Sequence, residues 1–496
     1  MKINQRILTL FLACLMVFVL SACIGEANTP SDDSNNSTGT SETSGEDKNI
    51  FTTNVPEKNL GGRTFMFYSA NWASDVLEDY EIFSEGYNED PINDAVYDRQ
   101  IYMEETMDCK INLLPQYNSE TAAQTLMDCV QSGEQNFGVL LRVNKFFSLA
   151  AEGYLYNLDD LPYCDFSQPY WDDNSYETLS VMNYHFGICG DFMLRDKNAT
   201  SVLIYNKDIM ADLDLEDNLY SLVDAGGWTI EVLSQYAKKG SADLNGDLVI
   251  DTNDRFGLGI WRDSLFSFMN GGDTYVAEKN EEDIPIFTLG DEKVVNYAQR
   301  VMEMIYDTDS VINAHIAGNE NAGGVLESMF QANQLLFAWQ KAGSLPLLRE
   351  TEIEYGLLPM PKADEKQEDY ACDMNAWEAS CLILPSNLSD EEAYYFSIFL
   401  EEFACQGRNM IYPVYYEILL KQKVALDSES QAMVDLIFDS RVLDIGVVFN
   451  WSDVAYRFCY MTMSSDTGVT SLAKAYEQLV NKEIERLSDF ILDSYS

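Results

Sequence analysis

Ser201-Val202-Leu203-Ile204-Tyr205-Asn206-Lys207-Asp208 is an apolar, β-branched and aromatic run that turns polar at its end, so it reads as a strand feeding directly into a helix. Upstream the same alternation repeats. Thr64-Phe65-Met66-Phe67-Tyr68 is a buried-strand run after the Gly61-Gly62 turn, and a loop begins at Ser69-Ala70-Asn71-Trp72. Asp90 followed by Pro91 reads as an N-cap with proline at the first helical position, and Ile92, Val96 and Met103 share a face. Cys109 to Leu114 predicts a second strand closed by Pro115, Ser119 to Gln131 a helix, and Phe137 to Val143 a third strand. Strand, helix and strand in repetition predict an α/β fold with a parallel sheet.

Downstream, Thr229 caps a helix that stops at Gly240, with Trp228 and Leu233 placed as a hydrophobic staple. Further helices are marked by Val294, Ala298, Val301, Met302 and Ile305, and near the C-terminus by Leu472, Tyr476, Leu479, Ile484, Leu487 and Ile491. No internal repeat is visible. Beyond residue 50 the chain is long enough for two or more packed lobes, and no later apolar run approaches the length of about twenty residues that spans a bilayer.

The first fifty residues have a different character. Lys2 and Arg6 precede an apolar stretch from Ile7 to Leu20, the layout of a cleavable export signal. Its end, Leu20-Ser21-Ala22-Cys23, resembles the lipobox of bacterial lipoproteins, which implies that Cys23 becomes the lipidated first residue. From Glu26 to about Asn49 the chain is nearly all Ser, Thr, Asn, Gly, Asp and Glu, too polar to bury a core, and is expected to be a flexible tether.

The formal charge is −51, from 82 acidic and 31 basic residues, which argues against nucleic-acid binding and against a polyanionic substrate. Apart from Cys14 and Cys23, eight cysteines remain at wide spacings without a C-x-x-C pair, so neither a disulfide framework nor a thiolate zinc site is indicated. His185 and His315 are the sole histidines, too few for a histidine-based metal site or an ordinary Ser-His-Asp triad, and each reads as a packed or surface residue.

Asp243, Asn245, Asp247, Asp251 and Asp254 fall at positions one, three, five, nine and twelve of an EF-hand-type loop, with the Val249 carbonyl at position seven and Ile250 at eight. Leu248 stands where such loops carry glycine, and Asp254 where they carry a longer glutamate. The loop is read either as a structural calcium site or as a solvated acidic turn.

The lipobox, the polar spacer, the α/β segment, Ser201 to Asp208 and the helical part after it together resemble the extracellular solute-binding proteins of bacterial ABC importers, in the branch that includes maltose-binding protein. Met329-Phe330-Gln331-Ala332-Asn333-Gln334-Leu335-Leu336-Phe337-Ala338-Trp339 is similar to the helix and strand that deliver a binding-site tryptophan. Gly356-Leu357-Leu358-Pro359-Met360-Pro361-Lys362 resembles the strand and proline pair with which the chain returns to the first lobe, and Gly227-Trp228-Thr229 with the acidic loop and Phe256-Gly257 is similar to a lipoprotein subgroup often encoded beside carbohydrate importers.

The resemblance implies a two-lobed periplasmic-binding-protein-like α/β fold with crossing hinge segments, closing on a sugar and handing it to ABC permease subunits without chemistry. The protein would be a monomer anchored by lipid on the extracytoplasmic face of the cell membrane. The expected division is 1–22 signal peptide, 23–50 lipidated Cys23 and tether, 51–198 lobe 1, 199–345 lobe 2 including the loop 243–254, 346–405 return to lobe 1, and 406–496 a helical part mainly with lobe 2.

Ligands of open α/β sheets bind beyond the carboxyl ends of the strands, and sugars are held by aromatic faces with amide, carboxylate and guanidinium groups. The candidates are Trp72, Arg142, Asn144, Asp191, Trp261, Asn270, which precedes Gly271-Gly272 in an expected loop facing the cleft, Trp339 and Trp377, each tryptophan weighed against core packing and each charge against an ion pair. Trp171 and Trp451 are read as structural. Three alternatives stay open: a glycoside hydrolase or lyase, a component that presents its ligand to a sensor, and a binding protein for peptides or other polar solutes.

Overall fold

The computed structural model describes residues 50–70, 82–215, 218–316, 322–348, 353–421, 428–464 and 466–495, all within one compact unit, Ile50–Ser496. The signal, Cys23 and nearly all of the tether lie outside the described residues, as does Trp72.

The principal strands are β1 (Arg63–Ala70), β2 (Cys109–Gln116), β3 (Phe137–Arg142), β4 (Ser201–Asn206), β5 (Phe256–Ile260), β6 (Val311–Asn313), β7 (Leu335–Lys341), β8 (Tyr355–Leu358) and β9 (Ser380–Ile383). They form a four-stranded sheet in the order β9-β3-β1-β2 and a five-stranded sheet in the order β6-β5-β7-β4-β8. In the first sheet β1 is parallel to β2 and β3, as strand-helix-strand connections require. β9 runs against β3, and in the second sheet β4 runs against β7 and β8. The expected parallel sheet is therefore mixed in both cases. β4 and β9 each arrive from the other sheet and enter at the edge where their neighbours end, which forces the opposite direction.

Local signals explain most elements. The Asp90 carboxylate accepts from Ile92 and Asn93 at the start of helix Pro91–Thr106. Thr229 Oγ1 accepts from Val232 N–H at the start of helix Ile230–Gly240, while the fully buried Trp228 donates from Nε1 to the Pro359 carbonyl at 3.0 Å. β2 continues through Pro115 instead of closing there, because it is an edge strand in which a missing N–H costs no ladder bond. Helix Asp390–Gln406 covers the first sheet with Phe396, Phe399 and Phe403 against Phe65 and Phe67; the Phe65 and Phe399 rings stack at 4.1 Å. β8 is in the second sheet, so the chain stays there past residue 346 and reaches the first sheet again only at β9.

The register brings the two sheets' crossing points together. Ser201 at the start of β4 pairs with Lys341 at the end of β7, and Ser380 at the start of β9 pairs with Arg142 at the end of β3. The segments leading into β4 and β9 bind one another: Asn375 N–H donates to the Ala199 carbonyl at 3.0 Å, and Thr200 bridges Met374. A third segment joins them where Arg441–Val442 pairs with Cys372–Asp373.

Candidate functional site

At this junction an aromatic ledge forms. Trp261 follows β5, and its ring lies 5.0 Å from that of Trp339 in β7. Trp339 is 1 % exposed whereas Trp261 is half-buried, so Trp261 presents the surface and Trp339 backs it. Lys341, two residues beyond Trp339 on the same strand face, sits 5.1 Å from the Trp261 ring and is ion-paired to Glu378 on the segment entering β9. That pair ties the second sheet to the first. Trp377, next to Glu378, meets Tyr456 at 5.9 Å, and the hydroxyls of Tyr456 and Tyr460 lie 2.6 Å apart. Arg262 bridges the ledge to this group: Nε meets Asp263 at 2.7 Å, Nη1 donates to the Tyr460 hydroxyl at 2.9 Å, and the guanidinium lies 4.8 Å from the Tyr460 ring.

His315, just after β6, closes the ledge 5.9 Å from Trp261 and accepts the Arg262 backbone N–H at Nδ1. Burial and the neighbouring Arg262 charge hold its pKa below the usual histidine value, so the ring is neutral and Nδ1 stays an acceptor. Around the ledge Asn144 Oδ1, Asn198 Oδ1, Asn313 Nδ2, Trp261 Nε1 and Trp339 Nε1 are buried and find no hydrogen-bond partner among the described residues. Each such group costs about 1–3 kcal/mol when unmatched, and a ligand rich in hydroxyls can both donate to and accept from this set.

No family model matches the sequence, and no curated protein matches it. Solved structures do. An ABC substrate-binding protein from Listeria monocytogenes in complex with cycloalternan is 15% identical and superposes with a TM-score of 0.55 over 86% of this chain and 99% of its own. UspC from M. tuberculosis gives 0.56 at 13% identity over 84% and 100%. The maltose/maltodextrin-binding domain MalE from Bdellovibrio bacteriovorus bound to maltotriose gives 0.50 at 13% over 85% and 100%. The chain has the substrate-binding-protein fold.

Within the substrate-binding-protein fold the predicted residues separate. Trp261, Trp339, Trp377 and Asn144 converge at the junction, the last through its N–H to the Ala376 carbonyl at 3.2 Å. Arg142 ends β3 at the same edge, its N–H donating to Ser119 Oγ. Asp191 is not available to a ligand: it is 5 % exposed, with one oxygen 2.9 Å from Lys197 Nζ and the other 3.1 Å from Arg408 Nη1. Of the two readings left open for it, the ion pair holds. Asn270 was expected in a loop facing the cleft, but it lies inside the buried helix Ser264–Gly271 and donates to Asp373 Oδ1 at 2.8 Å.

His315, Lys341, Glu378, Asn198, Asn313, Tyr456 and Tyr460 also gather at this junction and were not among the candidates that the sequence offered. Two signals were present, Lys341 at i+2 from Trp339 on a strand and the i, i+4 tyrosine pair on helix Val454–Met461.

Asp373, on the ribbon in which Cys372–Asp373 pairs with Arg441–Val442 across the crossing segments, accepts from Ser267 and Asn270, and Asp444 follows two residues after that ribbon as the N-cap of helix Ile445–Phe449. Burial, with the Asp444 charge adding to it, pushes Asp373 up to about 7, and burial does the same for Asp444. The unfolded carboxyl titrates near ~3.9, so the folded state holds extra protons between there and neutrality, and this contribution to stability is lost as pH rises through about 7. Melting temperatures from pH 5 to 8 should therefore fall less steeply in Asp373→Asn than in the parent, and equal slopes would contradict the assignment.

In the acidic loop, Asp243, Asp247 and Asp254 each place a carboxylate oxygen within 4.8 Å of the others. Asp243 accepts from Gly246 N–H at 2.6 Å and Leu248 N–H at 2.8 Å, and fully buried Asp254 accepts from Leu244 and Asp251, bonds that hold it below the usual carboxylate range. Leu248 takes φ 69°, the left-handed turn that glycine ordinarily fills at this position. Asp251 instead accepts from Asn253, and Asn245 from Asp247 N–H. Three converging carboxylates suit a hard, oxygen-seeking cation.

Proposed function

We propose that this chain captures an uncharged carbohydrate in the junction between its two sheets and delivers it to the permease of an ABC importer. The observation that carries this reading is the Trp261–Trp339 ledge ringed by buried, unmatched amide and indole groups. A sugar offers a C–H face to the indole and hydroxyls to the amides. The cations at the ledge have acidic partners, Arg262 with Asp263 and Lys341 with Glu378, a balance that suits a neutral solute better than an anionic one. The cycloalternan and maltotriose in similarly folded proteins support the same class.

The test is a thermal-shift screen of residues 50–496 against maltotriose, other oligosaccharides and monosaccharides, with amino acids and short peptides as controls. At a hundredfold excess over Kd a ligand adds about 2.7 kcal/mol of stability. A shift with sugars, recovered intact, is the expected result. Cleaved sugar would favour a hydrolase or lyase, and a response to peptides alone would replace the solute.

The accompanying proposals are a monomer held at the extracytoplasmic membrane face by lipidated Cys23, tested by mass spectrometry of the mature N-terminus, and a structural calcium at the acidic loop, with Asp243, Asp247 and Asp254 as carboxylate ligands and Asn245, Val249 and Asp251 completing the sequence pattern. Micromolar to millimolar calcium should raise the melting temperature of the parent and leave Asp243→Ala unmoved; no heat on titration and no shift in the parent would remove the metal.

A further inference from the structure

The open edge of β9 is covered by a short extended segment around Ile188. Ile188 N–H donates to the Leu382 carbonyl at 3.1 Å, and Leu382 N–H donates to the Ile188 carbonyl at 2.9 Å. Two residues that exchange both bonds form a hydrogen-bonded antiparallel pair, so the next pair along the ladder is of the other kind, with no bond between its members. That pair is Cys189 and Cys381. Their backbone groups point away from each other: Cys189 N–H donates to Ser175 Oγ at 3.0 Å, its carbonyl accepts from Asp172 N–H at 3.1 Å, and Cys381 pairs with Leu141 of β3 on its far side.

Residues directly opposite at such a position stand on the same face with Cα atoms about 4.5 Å apart, inside the span of about 4.4–6.8 Å that a disulfide bridges. Gly187 marks the face. A Cβ on Gly187 would lie 3.3 Å from Cys381 Sγ and 3.6 Å from Ile383 Cγ2, and alternation along the strand puts Cys189 on the side that Gly187 faces. The wide cysteine spacing hides this pair in the sequence; the strand register alone brings it together.

Both thiols are free in the structure and fully buried, and Cys189 Sγ donates to the Ser380 carbonyl at 3.2 Å. Burial pushes the Cys381 thiol up to about 12 and the Cys189 thiol well above its ordinary value. A protonated, enclosed thiol is a poor nucleophile, so a bond between these two closes while the segment is still off β9, during folding.

We propose that Cys189 and Cys381 close to a cross-strand disulfide when the chain folds in an oxidising compartment, and that this bond staples the segment around Ile188 to β9. The proposal rests on the export signal read at the N-terminus, since such bonds persist outside the cytoplasm. The oxidant is a disulfide. The thiolate of one cysteine attacks it and expels one thiolate; the second cysteine then displaces the first sulfur's new partner, so two cysteine thiols are oxidised while one disulfide is reduced to two thiols that take up the two protons. The stapled segment leads directly into Asp191, whose carboxylate holds Lys197 and Arg408, so the bond fixes the point where that charge network starts.

The test is done on the purified full chain, which separates the geometry from the question of export. The chain is unfolded with reductant, refolded with reduced and oxidised glutathione, alkylated with N-ethylmaleimide under denaturing conditions and mapped by peptide mass spectrometry. The expected result is a peptide carrying Cys189 joined to one carrying Cys381, with neither cysteine alkylated. In Cys381→Ala, Cys189 should become alkylated. Parent refolded with glutathione should melt about 2–5 °C above parent refolded in reductant, a difference that Cys189→Ala/Cys381→Ala should abolish. The parent's peptide map stands by itself should a variant fail to fold. Alkylation of both cysteines in the refolded parent, or either one joined to a different cysteine, overturns the proposal.

Discussion

Arg441→Met is expected to cost about 3–5 kcal/mol of stability, the penalty for leaving buried charges without a partner. Arg441 Nη1 meets Asp196 at 3.0 Å and Nη2 meets Asp172. Asp196 also meets Lys197 at 3.1 Å, Lys197 meets Asp191 at 2.9 Å, and Arg408 meets Asp191 at 3.1 Å. Three cations thus face three carboxylates, and Asp196 and Lys197 are 0 and 2 % exposed. Burial alone would lower the Lys197 pKa, yet the two carboxylates beside it outweigh burial and raise it, so the ammonium is charged in the fold. Without Arg441, Asp172 loses its cation and Asp196 keeps only Lys197. Denaturant unfolding measures the loss directly. Adding Asp196→Asn to Arg441→Met should return part of it, since the two changes remove the same pair. A loss below about 1 kcal/mol would mean that water reaches these groups and that the network does not hold the crossing segments.

The second large effect is on binding. Trp261→Ala should weaken the affinity for the sugar found in the screen by about thirtyfold, roughly 2 kcal/mol, as expected for a tryptophan at the centre of a contact. Because Trp261 is half-buried, the ligand-free protein should lose less stability than in Trp339→Ala, where a ring 1 % exposed leaves a cavity costing about 3–5 kcal/mol. The comparison separates the two roles: Trp261 mainly contacts the ligand, and Trp339 supports it through the 5.0 Å ring contact. Trp261→Phe should keep most of the binding, since a flat apolar face remains. If Trp261→Ala binds within about twofold of the parent, the ledge is not the ligand's platform.

The contrast between Trp261 and Asp191 shows what was legible in the chain. Both follow a turn or strand end, and both are residue types that hold sugars. Trp261 could be placed because a residue just beyond a strand of an α/β sheet must lie at the carboxyl edge. Asp191 could not, because its role depends on Lys197 nearby and on Arg408, 217 residues away. Asn270 failed for a similar reason: Gly271-Gly272 suggested a loop, but Asp373, 103 residues on, holds the asparagine inside a helix.

By itself the sequence determined the helix caps at Asp90 and Thr229, the strands from Thr64 to Tyr68 and from Ser201 to Asn206, the order of α/β units and the spacing of the acidic loop. These are settled by groups within a few residues of one another, where backbone geometry leaves few choices. The tertiary structure alone decided that β4 and β9 run against their neighbours, that Lys341 meets Glu378, and that Arg441 closes a charge network with Asp196 245 residues earlier. A buried charge must find a partner of opposite sign, but nothing local says which one. That choice is made only when the chain has crossed between the sheets and brought the distant segments to the same edge.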